Sequence, residues 1–175
     1  MLYLGLAAFI MFFVGDLNDW RYHKRLLKPS FFAGTVLLAV STFGFCLTGE
    51  SALPPVSRFA FIALALIFVI LTFYSVFSVV FMSSGTGERS VYSGRLYALC
   101  RHPGFLFFVP LYLCLWPAFG FPLYAVIIYS VLNLLLIIFE DALVFPALLR
   151  GYDNYKQEVP FILPTPASIK RLLGK

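Results

Sequence analysis

Charged side chains are scarce in this 175-residue sequence: Asp, Glu, Lys and Arg together make up only 12% of it. Soluble domains typically carry about 25% charged residues, so this scarcity argues against a soluble domain. The chain also lacks a basic run interleaved with polar aromatic residues, which argues against nucleic-acid binding. We therefore interpret the net charge of +5 by its location along the chain, and we expect no nucleic-acid partner.

Cysteine is also scarce. The three cysteines, Cys46, Cys100 and Cys114, include no C-x-x-C pair, so the sequence predicts neither a disulfide framework nor a metal site. The N-terminus has no basic stretch before its first apolar run and no small-residue cleavage site after it. We therefore expect a retained helix there and not a signal peptide.

Hydrophobic residues, by contrast, make up 61% of the sequence, and Phe alone occurs 21 times. A helix needs roughly 20 mostly apolar residues to cross a hydrocarbon core about 30 Å thick. The sequence predicts an all-α integral membrane protein with about five transmembrane helices. The apolar segments are Leu2–Val14, Phe31–Thr48, Phe59–Met82, Phe105–Phe119 and Leu123–Phe139. The first is short, so we expect it either to extend into the polar residues after it or to tilt where the bilayer thins.

The last two apolar segments are separated by a single Gly-Phe-Pro tripeptide, and such a tight break predicts a helical hairpin. After Glu140 the sequence becomes amphipathic, and a proline-rich stretch at residues 159–166 ends regular helix before a basic tail. We predict one membrane domain over the whole chain, residues 1–175. Its parts are three N-terminal spans in 1–82, a cofactor-binding half in 83–164 and the basic tail in 165–175.

Lysine and arginine are distributed unevenly between the predicted loops. With five spans, Arg58 alone lies on one side of the membrane and the other twelve of the thirteen lie on the opposite side. Cytoplasmic loops are enriched in Lys and Arg. We therefore expect the N-terminus outside the cell, and the C-terminus and the polar motifs on the cytoplasmic side.

The most polar interruption of the C-terminal half runs from Tyr92 to Phe105 and reads YSGRLYALCRHPGF. Pro103 suits the first turn of a helix, which places Arg101 and His102 at a helix N-terminus near the lipid headgroups. One interpretation is an arginine that snorkels to the interface beside a solvated histidine. The other is a guanidinium fork that binds a carboxylate or phosphate, favoured further by the helix N-terminus.

Two adjacent acids, Glu140 and Asp141, directly follow the last apolar segment. The helix macrodipole disfavours acids at a helix C-terminus, and apolar residues resume at once. We therefore expect the helix to continue, with the acids near membrane depth, where ionisable groups are costly and usually functional. Asn133 lies on the same helical face as Glu140, two turns deeper, and is either an interhelical hydrogen-bonding residue or part of an acceptor site.

Four tyrosines can converge with Glu140 on one face of the protein: Tyr92, Tyr97, Tyr152 and Tyr155. Aromatic faces attract cations, so this constellation suits a positively charged cofactor. An amphipathic tail that carries tyrosines can also simply lie on the bilayer surface, and the residues alone leave that alternative open.

The C-terminal half resembles a known superfamily. A G-x-x-Y-x-x-x-R-H-P pattern is formed by Gly94, Tyr97, Arg101, His102 and Pro103. The predicted hairpin, the acidic pair and a Y-x-x-Y-x-x-x-V-P tail follow in order. From about residue 83 to 164 the chain resembles the isoprenylcysteine carboxyl methyltransferase and phospholipid methyltransferase superfamily of integral membrane enzymes. The resemblance implies that S-adenosylmethionine binds on the cytosolic side and that a lipophilic substrate enters from the bilayer.

The resemblance also implies residue roles. The cofactor-binding residues would be Tyr97, Arg101, His102, Pro103, Glu140, Asp141, Tyr152 and Tyr155. Arg101 would bind the methionine carboxylate, and Glu140 the ribose hydroxyls or amino group with Asp141 in support. His102 and Glu140 would be the catalytic residues, because an amine acceptor must lose a proton. Asn133 and Phe105 are expected to contact the acceptor, an isoprenylcysteine carboxylate, a phospholipid amine or a similar lipid.

Three positions depart from the superfamily pattern: Phe105 replaces a tyrosine, Phe107 a glycine and Asp141 a glutamate. The two phenylalanines favour one alternative, a non-catalytic membrane protein that binds a lipid or a partner on the same scaffold. A second alternative is an NADPH-dependent membrane reductase, but such enzymes tend to have a tryptophan-rich tail and this tail has no tryptophan. A channel or transporter is least favoured, because only the fifth apolar segment carries an amide or charge within a span.

Overall fold

The computed structural model describes residues 1–82 and 90–173, without the side chains of residues 79–82. The first residues of the predicted cofactor-binding half, 83–89, and the last two of the predicted basic tail lie outside the described residues. Within the described ranges the regular secondary structure is helical, apart from an isolated parallel bridge between Ser90 and Arg150. This architecture confirms the predicted all-α class.

Five long helices form most of the structure. They are α1 (Leu2–Leu17), α2 (Ser30–Thr48), α3 (Pro55–Met82), α5 (Pro103–Phe119) and α6 (Leu123–Phe139). Four short helices complete the described part of the chain: α4 (Leu96–Leu99), α7 (Phe145–Leu148), α8 (Tyr152–Glu158) and α9 (Pro166–Leu172). A 3₁₀ turn, Arg25–Leu27, precedes α2.

Four helical segments in the described ranges are long and apolar enough to cross a membrane. They are Leu2–Tyr22, Arg25–Thr48, Pro55–Ser78 and Leu123–Leu148. Helix α5 is also apolar, but with 17 residues it is shorter than these four. The lengths and composition of these helices indicate a membrane protein, as the sequence predicts.

Two of the long helices continue into π-helical turns. Helix α1 continues through Asn18–Tyr22, which agrees with the first of the two expected alternatives, an extension of the first segment into the polar residues. Helix α6 continues through Glu140–Val144 into α7, which confirms that the helix runs on past the acidic pair. A π turn accommodates one extra residue in the helix and is frequent at functional sites.

Aromatic side chains fill the core between α1, α2, α5 and α6. Tyr129 is fully buried, and its ring centroid lies 5.8 Å from that of Phe9 and 5.6 Å from that of Tyr112. Its hydroxyl forms a 2.7 Å hydrogen bond with Ser41. A Cβ atom at Gly5 would lie 1.9 Å from the Tyr129 hydroxyl oxygen. Glycine at this position therefore allows α1 to pack closely on α6.

One helix starts earlier than predicted, and one short helix was not predicted. Helix α3 begins at Pro55 and not at Phe59, because proline suits the first helical turn, and Arg58 in that turn donates from Nε to the Ala118 carbonyl at 2.9 Å. Helix α9 was not predicted, since the proline-rich stretch was expected to end regular helix. Thr165 and Ser168 cap α9 reciprocally, at 2.9 and 3.2 Å, and such capping boxes start helices.

Candidate functional site

Asp141 is the centre of a polar group of side chains where α5, α6 and α8 meet. Its Oδ1 accepts a 2.6 Å hydrogen bond from the Tyr152 hydroxyl and lies 3.2 Å from Nη1 of Arg101. Its Oδ2 lies 2.8 Å from Nζ of Lys156. Only 10% of the Asp141 side chain is exposed. We call these four residues and His102 the Asp141 cluster.

His102 lies between the two neighbouring acids. Its Nδ1 is 3.7 Å from Oε2 of Glu140, and its Nε2 is 3.5 Å from Oδ1 of Asp141. The imidazole stacks on the Phe145 ring at 5.7 Å and meets the edge of the Phe161 ring at 5.1 Å. Its side chain is 4% exposed, which corrects the interpretation of a solvated histidine. Burial lowers the pKa of His102, although Asp141 opposes this shift, so the ring is neutral at pH 7.

The local backbone holds Arg101 and His102 in place. Pro103 is the first residue of α5, as predicted. The backbone N–H groups of Arg101 and His102 donate to the carbonyls of Pro160 and Phe161, at 2.9 and 3.3 Å. The proline-rich stretch before α9 therefore docks against the residues that precede α5, and it brings the tail to the cluster.

Arg101 retains unused hydrogen-bonding capacity. Its side chain is 10% exposed, yet within the described residues its Nε and Nη1 atoms are buried without a hydrogen-bond partner. Nη1 is close enough to Asp141 for an ion pair but outside hydrogen-bonding geometry. Because a buried donor without an acceptor costs about 1–3 kcal/mol, the guanidinium can bind a carboxylate or phosphate there.

The predicted tyrosines lie close to one another, and Tyr152 contacts one of the two acids, Asp141. Tyr155 donates from its hydroxyl to the Tyr97 carbonyl at 2.7 Å, and the Tyr92 and Tyr97 rings are 6.0 Å apart. The rings of Tyr152 and Tyr155 are 5.8 Å apart. Burial raises the pKa of Tyr97, Tyr152 and Tyr155, so these hydroxyls remain donors.

Glu140 faces a different neighbour from the one that Asp141 faces. Its carboxyl group lies beside that of Asp16, near the end of α1. Within the described part of the chain, Oδ2 of Asp16 is buried and has no hydrogen-bond partner. We call these two residues the acid pair. Two neighbouring carboxylates repel each other unless a proton lies between them.

Sequence reasoning missed Asp16 and Lys156. A signal existed for each: Asp16 is an acid within the extended first span, where ionisable groups are usually functional. Lys156 follows Tyr152 by four residues, the spacing at which side chains share a helical face. The actual contacts of both residues depend on tertiary packing.

The two predicted acceptor-contacting residues lie outside the Asp141 cluster. Phe105 lines an apolar groove of about 380 Å³ between α5 and α6, together with Leu106, Val131 and Leu163. Asn133 is half-buried and precedes Glu140 by two helical turns, roughly 10 Å along α6. Their assignment to the acceptor stays a prediction.

No protein-family model, curated protein or solved structure matches this chain. The superfamily resemblance and the residue roles that it implies therefore stay predictions.

Proposed function

We propose that this chain is an integral membrane methyltransferase that transfers a methyl group from S-adenosylmethionine to a lipophilic acceptor. One observation carries the proposal: within the described residues the buried Nε of Arg101 has no hydrogen-bond partner, and it lies beside the neutral His102 and the aromatic rings of the tail. Such a site suits a ligand with a carboxylate and a cationic or aromatic part.

The residues of the cluster fit this cofactor. The unsatisfied Nε of Arg101 suits the methionine carboxylate. The faces of Tyr97, Tyr155 and Phe161 suit a sulfonium cation, since aromatic rings attract positive charge. When bound, the cofactor supplies an already activated methyl group. The protein residues then need to bind, orient and exclude water from the reactants.

The two acids have separate roles in this proposal. Both oxygens of Asp141 contact cations or a tyrosine hydroxyl, so Asp141 positions Arg101. Glu140 is the acid that can accept a hydrogen bond from the cofactor or a proton from an acceptor. His102 is neutral and adjoins both acids, so it can take up a proton as well.

We also propose that α5 crosses the membrane in addition to the four longer segments, which gives five spans, and that α5 and α6 form a helical hairpin. Seventeen residues span roughly 26 Å, which local bilayer thinning can accommodate. A Cβ atom at Gly120 would lie 2.3 Å from the Glu50 carbonyl oxygen, so the turns at the ends of α2 and α5 adjoin. Five spans require these turns to be on one side. The excess of Lys and Arg on the opposite side favours a cytoplasmic cluster and C-terminus and an outside N-terminus.

The decisive experiment is calorimetric titration of S-adenosylmethionine into the detergent-purified full chain. Loss of a hydrogen bond to a charged group is worth about 1.5–3 kcal/mol, so Arg101→Ala should weaken binding roughly 10- to 100-fold. The matched control Arg25→Ala removes an exposed arginine and should leave binding unchanged.

Three other outcomes would overturn the proposal. Absence of binding to the intact protein, with NADPH binding in parallel, would favour the reductase alternative. Equal binding by Arg101→Ala and the intact protein would place the cofactor elsewhere. Binding without methyl transfer to any lipid extract would favour a non-catalytic lipid-binding protein.

A further inference from the structure

The connection between α1 and α2 carries a dense group of positive charges. Its Lys and Arg residues are Arg21, Lys24, Arg25 and Lys28, which we call the basic loop. All of them are exposed. Within residues 1–82 and 90–173, none of them forms an ion pair with an acid. Exposed cations that no neighbouring acid neutralises create a positive potential, which attracts anions.

A buried side chain fixes the backbone of the basic loop. Asn18 is only 1% exposed. Its side chain accepts a hydrogen bond from the Lys24 N–H at 2.8 Å and donates one to the Lys24 carbonyl at 3.2 Å. Between them, His23 has a φ of 51°, a left-handed conformation that is uncommon for residues other than glycine. The loop is therefore a defined turn, and it presents its cations in a fixed backbone arrangement.

Apolar side chains project from the same loop. Leu26 is 87% exposed and Tyr22 is 54% exposed, and Nζ of Lys24 lies 5.8 Å from the centroid of the Tyr22 ring. The loop directly follows a helical segment that is long and apolar enough to cross a membrane. At a bilayer surface, leucine and tyrosine can enter the headgroup region while lysine and arginine stay level with the phosphates. The mixture of cations and exposed apolar residues therefore suits a lipid surface.

We propose that the basic loop binds anionic phospholipids, with their phosphates on the loop cations and with Leu26 inserted among the headgroups. Groups of about 4–8 Lys and Arg residues next to a membrane-spanning helix attract anionic lipids. A zwitterionic lipid also has a phosphate, but its own cation offsets the negative charge. The anionic lipid is a bound neighbour of the loop and not the methyl acceptor, so this proposal does not rest on the proposed function.

The two tryptophans of the chain can report on lipids at two separate places. Trp20 directly precedes the basic loop, and its ring meets that of Phe139 at 5.9 Å, so it is held beside the loop. Trp116 is 46% exposed in the last turn of α5. It lies roughly 20 Å along that helix from Pro103, and therefore far from the loop.

Two single-tryptophan variants of the full chain, Trp116→Phe and Trp20→Phe, have one reporter each. Each is reconstituted into mixtures of phosphatidylcholine and phosphatidylglycerol in which only one of the two lipids has brominated acyl chains, since bromine quenches tryptophan at short range. A second set of mixtures has the bromine on the other lipid. The two sets together give the relative affinity of the two lipids at each tryptophan. No S-adenosylmethionine is added.

We expect Trp20 to report binding of phosphatidylglycerol at least about fivefold tighter than that of phosphatidylcholine, because each Lys or Arg at an anionic surface is worth about fivefold in affinity. Trp116 should report a ratio near one. A rise in salt from about 0.1 M to about 1 M shortens the Debye length from about 10 Å to about 3 Å. The ratio at Trp20 should therefore fall with salt, which tests the proposal without any change to the loop.

The matching variant is the triple substitution Lys24→Gln, Arg25→Gln and Lys28→Gln. It removes side-chain charge only, and Asn18 still binds the backbone of residue 24, so the loop should keep its conformation. The ratio at Trp20 should then fall to about twofold or less. The control Lys170→Gln removes an exposed lysine on α9 and should retain the full preference.

A ratio near one at Trp20 would overturn the proposal and would leave the loop to solvent or to an acidic protein partner. Equal ratios at Trp20 and Trp116 would also overturn it, and so would a preference that survives the triple substitution. These outcomes are separate from those for the cofactor. A lipid preference without S-adenosylmethionine binding would refute the methyltransferase and leave the lipid surface in place, and cofactor binding without a lipid preference would do the reverse.

Discussion

Asp141 and Glu140 are adjacent acids on one helical turn, yet they meet opposite electrostatic surroundings. Asp141 contacts Arg101 and Lys156 and accepts a hydrogen bond from Tyr152. Glu140 lies beside another acid, Asp16. Successive residues of a helix point about 100° apart, so one acid faces the C-terminal helices and the other faces α1.

This difference separates a structural role from a binding role. A buried carboxylate with cationic partners holds elements together, and removal of one partner leaves an uncompensated charge. A carboxyl group that faces another carboxyl group contributes less to folding, because the two repel each other unless a proton lies between them. A ligand that brings positive charge can replace that proton. The comparison therefore predicts that substitutions at the two acids affect stability very differently.

The largest expected effect is that of Asp141→Asn. The variant keeps an acceptor for Tyr152 but leaves Arg101 and Lys156 without their anion. Breaking a buried ion pair costs about 3–5 kcal/mol, and the 40% exposure of Lys156 places the expected loss near the lower end. The measurement is the free energy of unfolding in mixed micelles, by denaturant titration.

Asp153→Asn serves as the matched control for this measurement. It makes the same chemical change at an exposed site on α8, where surface substitutions usually stay within about 0.5 kcal/mol. Similar losses for the two aspartates would contradict the idea that Asp141 organises the ends of α5, α6 and α8.

Acidification should have a smaller effect on the free energy of unfolding. This effect comes from His102, which lies between the two acids. Burial lowers the pKa of His102 in the folded protein, whereas an unfolded histidine titrates near about 6.5. Below that pH the unfolded chain takes up a proton that the folded chain does not, so stability falls as pH falls. One proton changes the free energy of unfolding by up to about 1.4 kcal/mol per pH unit.

The test compares unfolding between pH 7.5 and pH 5.5 for the intact chain and for His102→Gln. The intact chain should lose about 1 kcal/mol more than the variant over this range. His23, the other histidine of the chain, is present in both proteins and cancels in the difference. An identical pH dependence of the two proteins would mean that His102 is not held neutral between the acids.

Local chemistry explains what could be predicted from the sequence. The apolar composition predicts an all-α membrane protein, and Pro103 at the start of α5 follows from the missing N–H of proline. The helix through Glu140 and Asp141 was predictable because apolar residues resume directly after them. The convergence of Tyr97, Tyr152 and Tyr155 was expected from the order of the motifs.

Local sequence patterns could not predict the contacts of Glu140 and Asp141. Asp16 reaches Glu140 because α1 packs closely on α6, which requires Gly5 beside the buried Tyr129. That close approach joins distant parts of the sequence and leaves no local pattern. The sequence therefore indicates that the adjacent acids Glu140 and Asp141 are important. It does not show that Asp141, and not Glu140, contacts Arg101 and Lys156.

The smallest expected stability change, that of Glu140→Gln, tests the comparison most sharply. Glutamine can donate an N–H to the Asp16 carboxylate without a shared proton, so the free energy of unfolding should change by less than about 0.5 kcal/mol or rise. Glu140→Ala should cost about 1–3 kcal/mol, because it leaves the buried Asp16 carboxyl unsatisfied. A loss in Glu140→Gln as large as that in Asp141→Asn would mean that both acids anchor the fold. The predicted result is a Glu140→Gln protein that folds normally, because the glutamine N–H can satisfy the Asp16 oxygen that a second carboxylate cannot.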